Sequence, residues 1–276
     1  MVEIREEDNA EGEGAAAGSS SSQQPPSGSG AGSGTVGLVE YLKNRGTDSL
    51  LWALRLLTVG LGLGYAIGLS GREGQASLYS KALIAAAATN ALRLHQRLGG
   101  FELSRAFLQR MFQEDSCHYL FYSVLFLGSS PVTMALLPVF LFAVLHSSSF
   151  AVQMLAATGR VDSWLHGFLK SMTEQHAQSL LQVIALTEIF LMPMSIVLIF
   201  MGQSSFLVPF IYYRFLTLRY MSQRNPHTRV AFQQLRQALV QAVSSPSVPQ
   251  FLRNAAYSLI GFVEKLCPQP QPAAAQ

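Results

Sequence analysis

The chain has 276 residues, 49% of them hydrophobic and 13% charged, with a formal net charge of +3. Soluble domains carry about a quarter charged residues, so a mean hydropathy of +0.27 excludes an ordinary soluble enzyme and points to a membrane protein. Two cysteines, Cys117 and Cys267, are too few for a disulfide framework or a Cys-rich zinc site.

Residues 1–36 are Gly, Ser, Ala, Gln, Pro and acid, a composition that cannot bury enough apolar surface to offset its ordering entropy. They predict an acidic, disordered head with no apolar core of the kind a secretory signal needs. Its first 13 residues carry a charge of −5, so the remainder carries +8. A basic, apolar body of this kind suits a surface that meets anionic headgroups.

Residues 37–221 predict a membrane domain. The run 50–69 is long enough to cross a hydrocarbon core of ~30 Å. Gly60, Gly64 and Gly68 recur every four residues and predict a helix-packing face, and Arg55 is an intramembrane charge. Residues 78–98 are alanine-rich and contain Lys81, Arg93 and Arg97, which fits either a span or an interfacial helix. Residues 101–112 form an amphipathic stretch suited to a membrane surface or to a packed partner, with Phe101 and Phe107 as its expected membrane contacts. The apolar region 119–145 is broken at Gly128-Ser-Ser-Pro131. Its halves would reach ~13 and ~21 Å, each short of a full crossing. It is therefore one kinked span or a hairpin, and the need to satisfy freed backbone groups inside lipid favours the kink.

A third span is predicted over 183–202, with Glu188 as its intramembrane charge and Pro193 beyond it. Residues 206–218 are too short to cross comfortably. Their Tyr212, Tyr213, Arg214 and, just beyond, Arg219 suit the headgroup level, and a short buried helix is the alternative. Residues 222–267 predict a cytoplasmic, amphipathic helical tail, with Phe232, Leu235 and Leu239 on one helix and Phe251, Leu259 and Phe262 on another as membrane contacts. Residues 268–276 predict a disordered end. From Arg214 onward seven Lys and Arg stand against one acid, Glu264, which places the C-terminus in the cytosol. The link 146–182 is then lumenal if 119–145 crosses once. Three spans put Arg55 and Glu188 near the same face, where they could pair; four spans separate them. Snorkelling to the interface is the alternative for both charges.

Chemical motifs are missing. The six histidines make no zinc spacing, and no nucleophile elbow or phosphate-binding loop occurs. Gly60-x-Gly62-x-Gly64 lacks the strand that a dinucleotide loop requires. Cys117 and His118 are adjacent, and neighbours on a helix point apart. No catalytic, metal or cofactor site is expected.

Several blocks resemble a known family. They are Ala91-Leu-Arg-Leu-His-Gln-Arg-Leu98, Leu103-Ser-Arg-Ala-Phe-Leu108, Glu114-Asp-Ser-Cys-His-Tyr-Leu120, Pro131-Val-Thr-Met134, Glu188-Ile-Phe-Leu-Met-Pro193, Pro209-Phe-Ile-Tyr-Tyr-Arg-Phe-Leu-Thr-Leu-Arg-Tyr220 and Arg224-Asn-Pro226. Together they resemble the transmembrane protein 33, or Krüppel homolog 2, family over roughly residues 50–266. The acidic head and the glycine face depart from its pattern. The resemblance implies a multi-pass protein of the endoplasmic reticulum and nuclear envelope. It also implies association with reticulon-type proteins, control of tubular network shape, and links to stress signalling (the unfolded protein response), calcium handling and nuclear pore organisation. It brings no catalytic residues and no nucleic-acid partner. The expected fold is all-α, a multi-pass helical membrane protein with three or four spans plus interfacial amphipathic helices. The function expected is non-enzymatic, with the lipid bilayer and reticulon-like proteins as partners. The alternative is a transporter or channel subunit that uses Glu188 and the break at 128–131.

Overall fold

The structure, a computed structural model, describes residues 37–267 except 69–70, 101, 103, 223–224 and the side chain of Arg72. The predicted head 1–36, the end 268–276, and Phe101 and Arg224 thus lie outside the described residues. Among those described there are eleven helices and no strand. They are α1 (Leu38–Asn44), α2 (Gly46–Ile67), α3 (Gly71–Leu98), α4 (Arg105–Gln113), α5 (Asp115–Leu127), α6 (Thr133–Ala157), α7 (Trp164–Glu174), α8 (Ala177–Phe200), α9 (Leu207–Met221), α10 (His227–Val243) and α11 (Gln250–Leu266). The fold is a multi-pass helical membrane architecture. Helices α2, α6 and α8, with 22, 25 and 24 residues, are apolar and long enough to cross a membrane. Helix α3 is 28 residues long but carries Lys81, Arg93 and Arg97. Helices α5 and α9, of 13 and 15 residues, reach only ~20 Å.

These helices pack as three antiparallel hairpins. In the first, the Tyr65 and Tyr79 rings lie 5.7 Å apart beneath the link from α2 to α3. Gly68 closes α2 with φ 74°, a left-handed cap that needs no Cβ. In the second, α5 and α6 flank the Gly128–Pro131 break. Tyr122 donates to the Ala135 carbonyl (2.6 Å) and the Tyr119 ring sits 4.9 Å from Phe142. Partners that diverge in number this way belong to opposed helices, so 119–145 is a hairpin and not one kinked span. The freed backbone is satisfied from within, as with Ser129, which donates to the Phe126 carbonyl. Helix α6 also gains length by continuing past Leu145 to Ala157, through residues that look polar in sequence (His146, Ser147, Ser148, Ser149).

The third hairpin is α8 against α9, extended by α10. Tyr212 donates to the Glu188 carbonyl (2.7 Å), Leu216 packs with Ala185 and Ile189, Ala231 joins that cluster, and Gln182 bonds Gln234. As α9 and α10 advance, their partners on α8 recede. Cross-links tie the first and second hairpins: Trp52 donates to the Ser147 carbonyl (3.2 Å), and Tyr65 and Thr133 share a hydrogen bond (3.0 Å).

All three tips therefore point one way. Their links, 68–70, 128–132 and 201–206, contain no charged residue. At the opposite end lie α1, α4, α7 and α11, with the starts of α2 and α8 and the end of α3. The link 158–176 and the tail 222–267 share this end, because α10 lies beside the first half of α8. That arrangement differs from the expected one, with the 146–182 link and the tail on opposite sides, for a simple reason: α9 and α10 reverse the chain after α8.

Candidate functional site

The short helices α5 and α9 stop partway down the bundle, and charged groups gather where they end. Asp115 opens α5, where the positive end of the helix dipole favours a carboxylate. Arg219 lies in the last turn of α9, where the dipole favours a cation. Its Nη1 lies 3.1 Å from Asp115 Oδ1 and its Nε 3.3 Å from Glu188 Oε2. Tyr119 donates to the other Glu188 oxygen, and its ring lies 5.1 Å from the Arg219 guanidinium carbon. Ser222 donates to Asp115 Oδ1 (3.0 Å) and accepts from the Asn225 amide (3.2 Å). The cluster thus fastens α5, α8 and α9 to the start of α10.

Glu188 is 0% exposed and Arg219 1%. Glu188 stands about 17 Å from either end of α8, at 1.5 Å per residue. It is therefore a mid-helix charge, not one five residues inside a span, and snorkelling does not explain it. Its cation is Arg219, a residue that sequence pattern alone assigns to the headgroups. What conceals this pairing in the sequence is that Arg219 is one of seven basic residues in a basic tail. Only its place opposite an apolar helix containing one acid distinguishes it.

Below the cluster is a half-open cavity of ≈ 110 Å³, walled by α2, α3, α5, α6 and α8 with Arg219 and Asn225. Arg55 and Arg93 line it beside Asp115 and His146. Arg55 thus faces the same space as Arg219.

Other expected site residues fall in three groups. Tyr212 (0% exposed) and Phe107 (4%) are inside the protein, because each fills a gap between packed helices, so neither contacts membrane. Tyr213 donates to the Leu266 carbonyl (2.9 Å), tying α9 to α11, while Arg214 is exposed. Phe232 and Leu235 pack partly against α8, and Leu239 is half-buried. Phe251, Leu259 and Phe262 are 68%, 55% and 60% exposed on a single face of α11.

The three glycines of the expected packing face meet different surroundings. Gly60 meets open space, Gly64 meets Leu78, and Gly68 is the helix cap. The close approach is at Gly62, where a Cβ would stand 2.7 Å from Phe140 Cδ2. Cys117 is buried, and the His118 Nε2 lies 2.7 Å from the Phe112 carbonyl, so the two share no substrate space. Among the described residues no group of His, Cys, Asp and Glu is arranged to hold a metal.

Comparison with known proteins gives one family. The profile described as Transmembrane protein 33/Nucleoporin POM33 matches residues 31–269. The chain is 45% identical to Transmembrane protein 33 of Mus musculus over 233 residues, covering 84% of this chain and 94% of that protein. It is 44% identical to Krueppel homolog 2 of Drosophila melanogaster over 242 residues, covering 87% and 85%. It is 44% identical to the Transmembrane protein 33 homolog of Caenorhabditis elegans over 230 residues, covering 83% and 84%. No solved structure matches the chain.

Proposed function

Because the chain belongs to the Transmembrane protein 33/Nucleoporin POM33 family, we propose that it is a non-enzymatic membrane protein that modulates the shape of the endoplasmic reticulum network. The observation behind this is the lopsided bundle. Hairpin tips whose charges are only Arg72 and Glu73, in the first turn of α3, gather at one end, while α4, α7 and α11 lie at the other with most of the arginines. Amphipathic helices at one interface occupy area in one leaflet only. Lys and Arg near an anionic surface add about 1 kcal/mol each. The positive-inside rule makes that end cytoplasmic. A protein that widens the cytoplasmic leaflet alters curvature without chemistry.

Helix α11 is the element best suited to this role. It is anchored through Ala256 and through Arg253, which donates to the Val243 and Ser245 carbonyls (3.1 and 3.3 Å). Its apolar face stays outward. At ~1.5–3 kcal/mol for full burial of a large apolar side chain, scaled by exposure, Phe251, Leu259 and Phe262 supply roughly 3–5 kcal/mol on entering the interface. The triple substitution Phe251→Ser, Leu259→Ser, Phe262→Ser should leave the bundle folded and abolish the change in vesicle diameter that the wild-type chain causes on reconstitution. Equal diameters with wild-type and variant chains would refute a shaping role for α11.

Residence in the endoplasmic reticulum and nuclear envelope, and association with reticulon-type proteins, belong to the same proposal. The family description joins a nucleoporin to transmembrane protein 33, which supports a nuclear-envelope pool and a part in pore organisation. Phe200, Phe206 and Phe210 are exposed near the third tip, where another hairpin protein can lie against them within the bilayer. Co-purification with a reticulon, weakened by Phe206→Ser and Phe210→Ser, tests that contact. Links to stress signalling and calcium handling rest on family membership and are tested by stress-reporter and lumenal-calcium readings after depletion. Transport through Glu188 has less support, since its carboxylate is enclosed by Tyr119 and Arg219.

A further inference from the structure

We propose that the cavity beneath the Arg219 cluster is a binding site for a phosphate group, carried by an anionic lipid headgroup or by a soluble phosphate. It goes beyond the shaping role and does not depend on it. The wall holds three arginines, Arg55, Arg93 and Arg219, against one carboxylate, Asp115. Asp115 accepts from Arg219 and Ser222. Arg219 is also bound to Glu188 behind the wall. Arg55 and Arg93 sit on α2 and α3, and His146 stacks on Phe142 with ring centroids 6.0 Å apart. Arg55, Arg93 and His146 each also make a contact within the protein. Guanidinium groups recognise phosphate by paired, charge-assisted hydrogen bonds.

The dimensions admit such a ligand. A cavity of ≈ 110 Å³, at the ~10–15 Å³ that the centre of one water needs, has room for several waters and so for a tetrahedral oxyanion with part of the group that carries it. Because the cavity is half open, the rest of a ligand can lie outside it. Its place matters as well. It lies between membrane-crossing helices near the end that holds α4 and the tail, and basic pockets between helices on the cytoplasmic side bind phosphate headgroups. Arg93 stands five residues before the end of α3, and phosphatidic acid is a simple phosphomonoester lipid with which to probe the site.

The test uses the full chain in detergent, titrated with phosphatidic acid and followed by native mass spectrometry, with phosphatidylcholine as control and inorganic phosphate as competitor. One phosphatidic acid should bind saturably, and Arg55→Gln with Arg93→Gln should weaken it about tenfold or more. Arg105→Gln with Arg110→Gln, exposed on α4, should change it no more than a few-fold. Competition by inorganic phosphate shows that the phosphate group itself is read. Binding of inorganic phosphate without the lipid would assign the site to the soluble anion. Should the cavity variant fail to fold, the wild-type chain answers: phosphatidic acid or phosphate must protect Arg55 and Arg93 from a guanidine-specific reagent. Binding of neither ligand, equal loss in the two double variants, or no protection overturns the proposal.

Discussion

Removing the Arg219 guanidinium should be the most damaging single change in the bundle. Arg219→Met keeps the length of the apolar stem but leaves two carboxylates without their cation. Glu188 would keep only the Tyr119 hydroxyl, while Asp115 would keep Ser222 and a side chain 18% exposed. Stranding one partner of a buried ion pair costs about 3–5 kcal/mol. For a chain of this size 1 kcal/mol moves the melting temperature by about 2–4 °C, so Arg219→Met should lower it by roughly 6–20 °C. Glu188→Gln should cost less, about 1.5–3 kcal/mol for a charge-assisted bond, because Arg219 retains Asp115 at 3.1 Å. The double variant should cost less than the two singles together, with a coupling of about 0.5–3 kcal/mol. Arg214→Met, exposed on the same helix, is the control and should stay within about 0.5 kcal/mol. Thermal unfolding of the four purified variants in one detergent measures all of this. A melting point for Arg219→Met within about 2 °C of wild type, or strictly additive singles, would refute the idea that this ion pair fastens α9 to α8.

Three further outcomes follow from the packing. Gly62→Val should cost about 1–3 kcal/mol by driving a methyl into Phe140, whereas Gly60→Ala, in open space, should leave stability unchanged or raise it by up to about 1 kcal/mol; unfolding midpoints decide. In a background of Cys117→Ser and Cys267→Ser, cysteines at Asp162 and Ser245 should be labelled from the same side of sealed microsomes and one at Gln203 should not. Labelling of Ser245→Cys with protection of Asp162→Cys would rule out the three-hairpin arrangement. Burial pushes the Cys267 thiol above its ordinary value, so less of it is thiolate at pH 8. In Cys117→Ser, its alkylation should still be rising where a free thiol, with a pKa of about 8.5, has levelled off, and a free-thiol profile would refute this.

How much of this was legible depends on which physical signal each feature leaves in one dimension. The apolar runs mark the cores of α2, α6 and α8 because hydrocarbon demands ~20 apolar residues in succession. The outward face of α11 shows because a surface helix keeps its 3.6-residue stripe. Boundaries fared worse. Helix α8 begins at Ala177, six residues before the predicted span, since Gln178 and Ser179 are exposed and Gln182 bonds Gln234. That shift alone moves Glu188 from a shallow position to the middle of the helix and changes its partner. Gly62 and not Gly60 is the close contact because α6, more than seventy residues away in the chain, supplies Phe140. Direction was harder still. A hydropathy pattern counts crossings, but α5 and α9 are too short to count and still reverse the chain. Each adds a return that the pattern misses, so a topology drawn from the long runs alone puts the 158–176 link on the wrong side of the tail. The same shortness ends α5 and α9 partway down the bundle, where Asp115 and Arg219 meet Glu188 and the arginine-lined cavity opens beneath them. Two helices that look like failed spans thus place the polar centre of the protein.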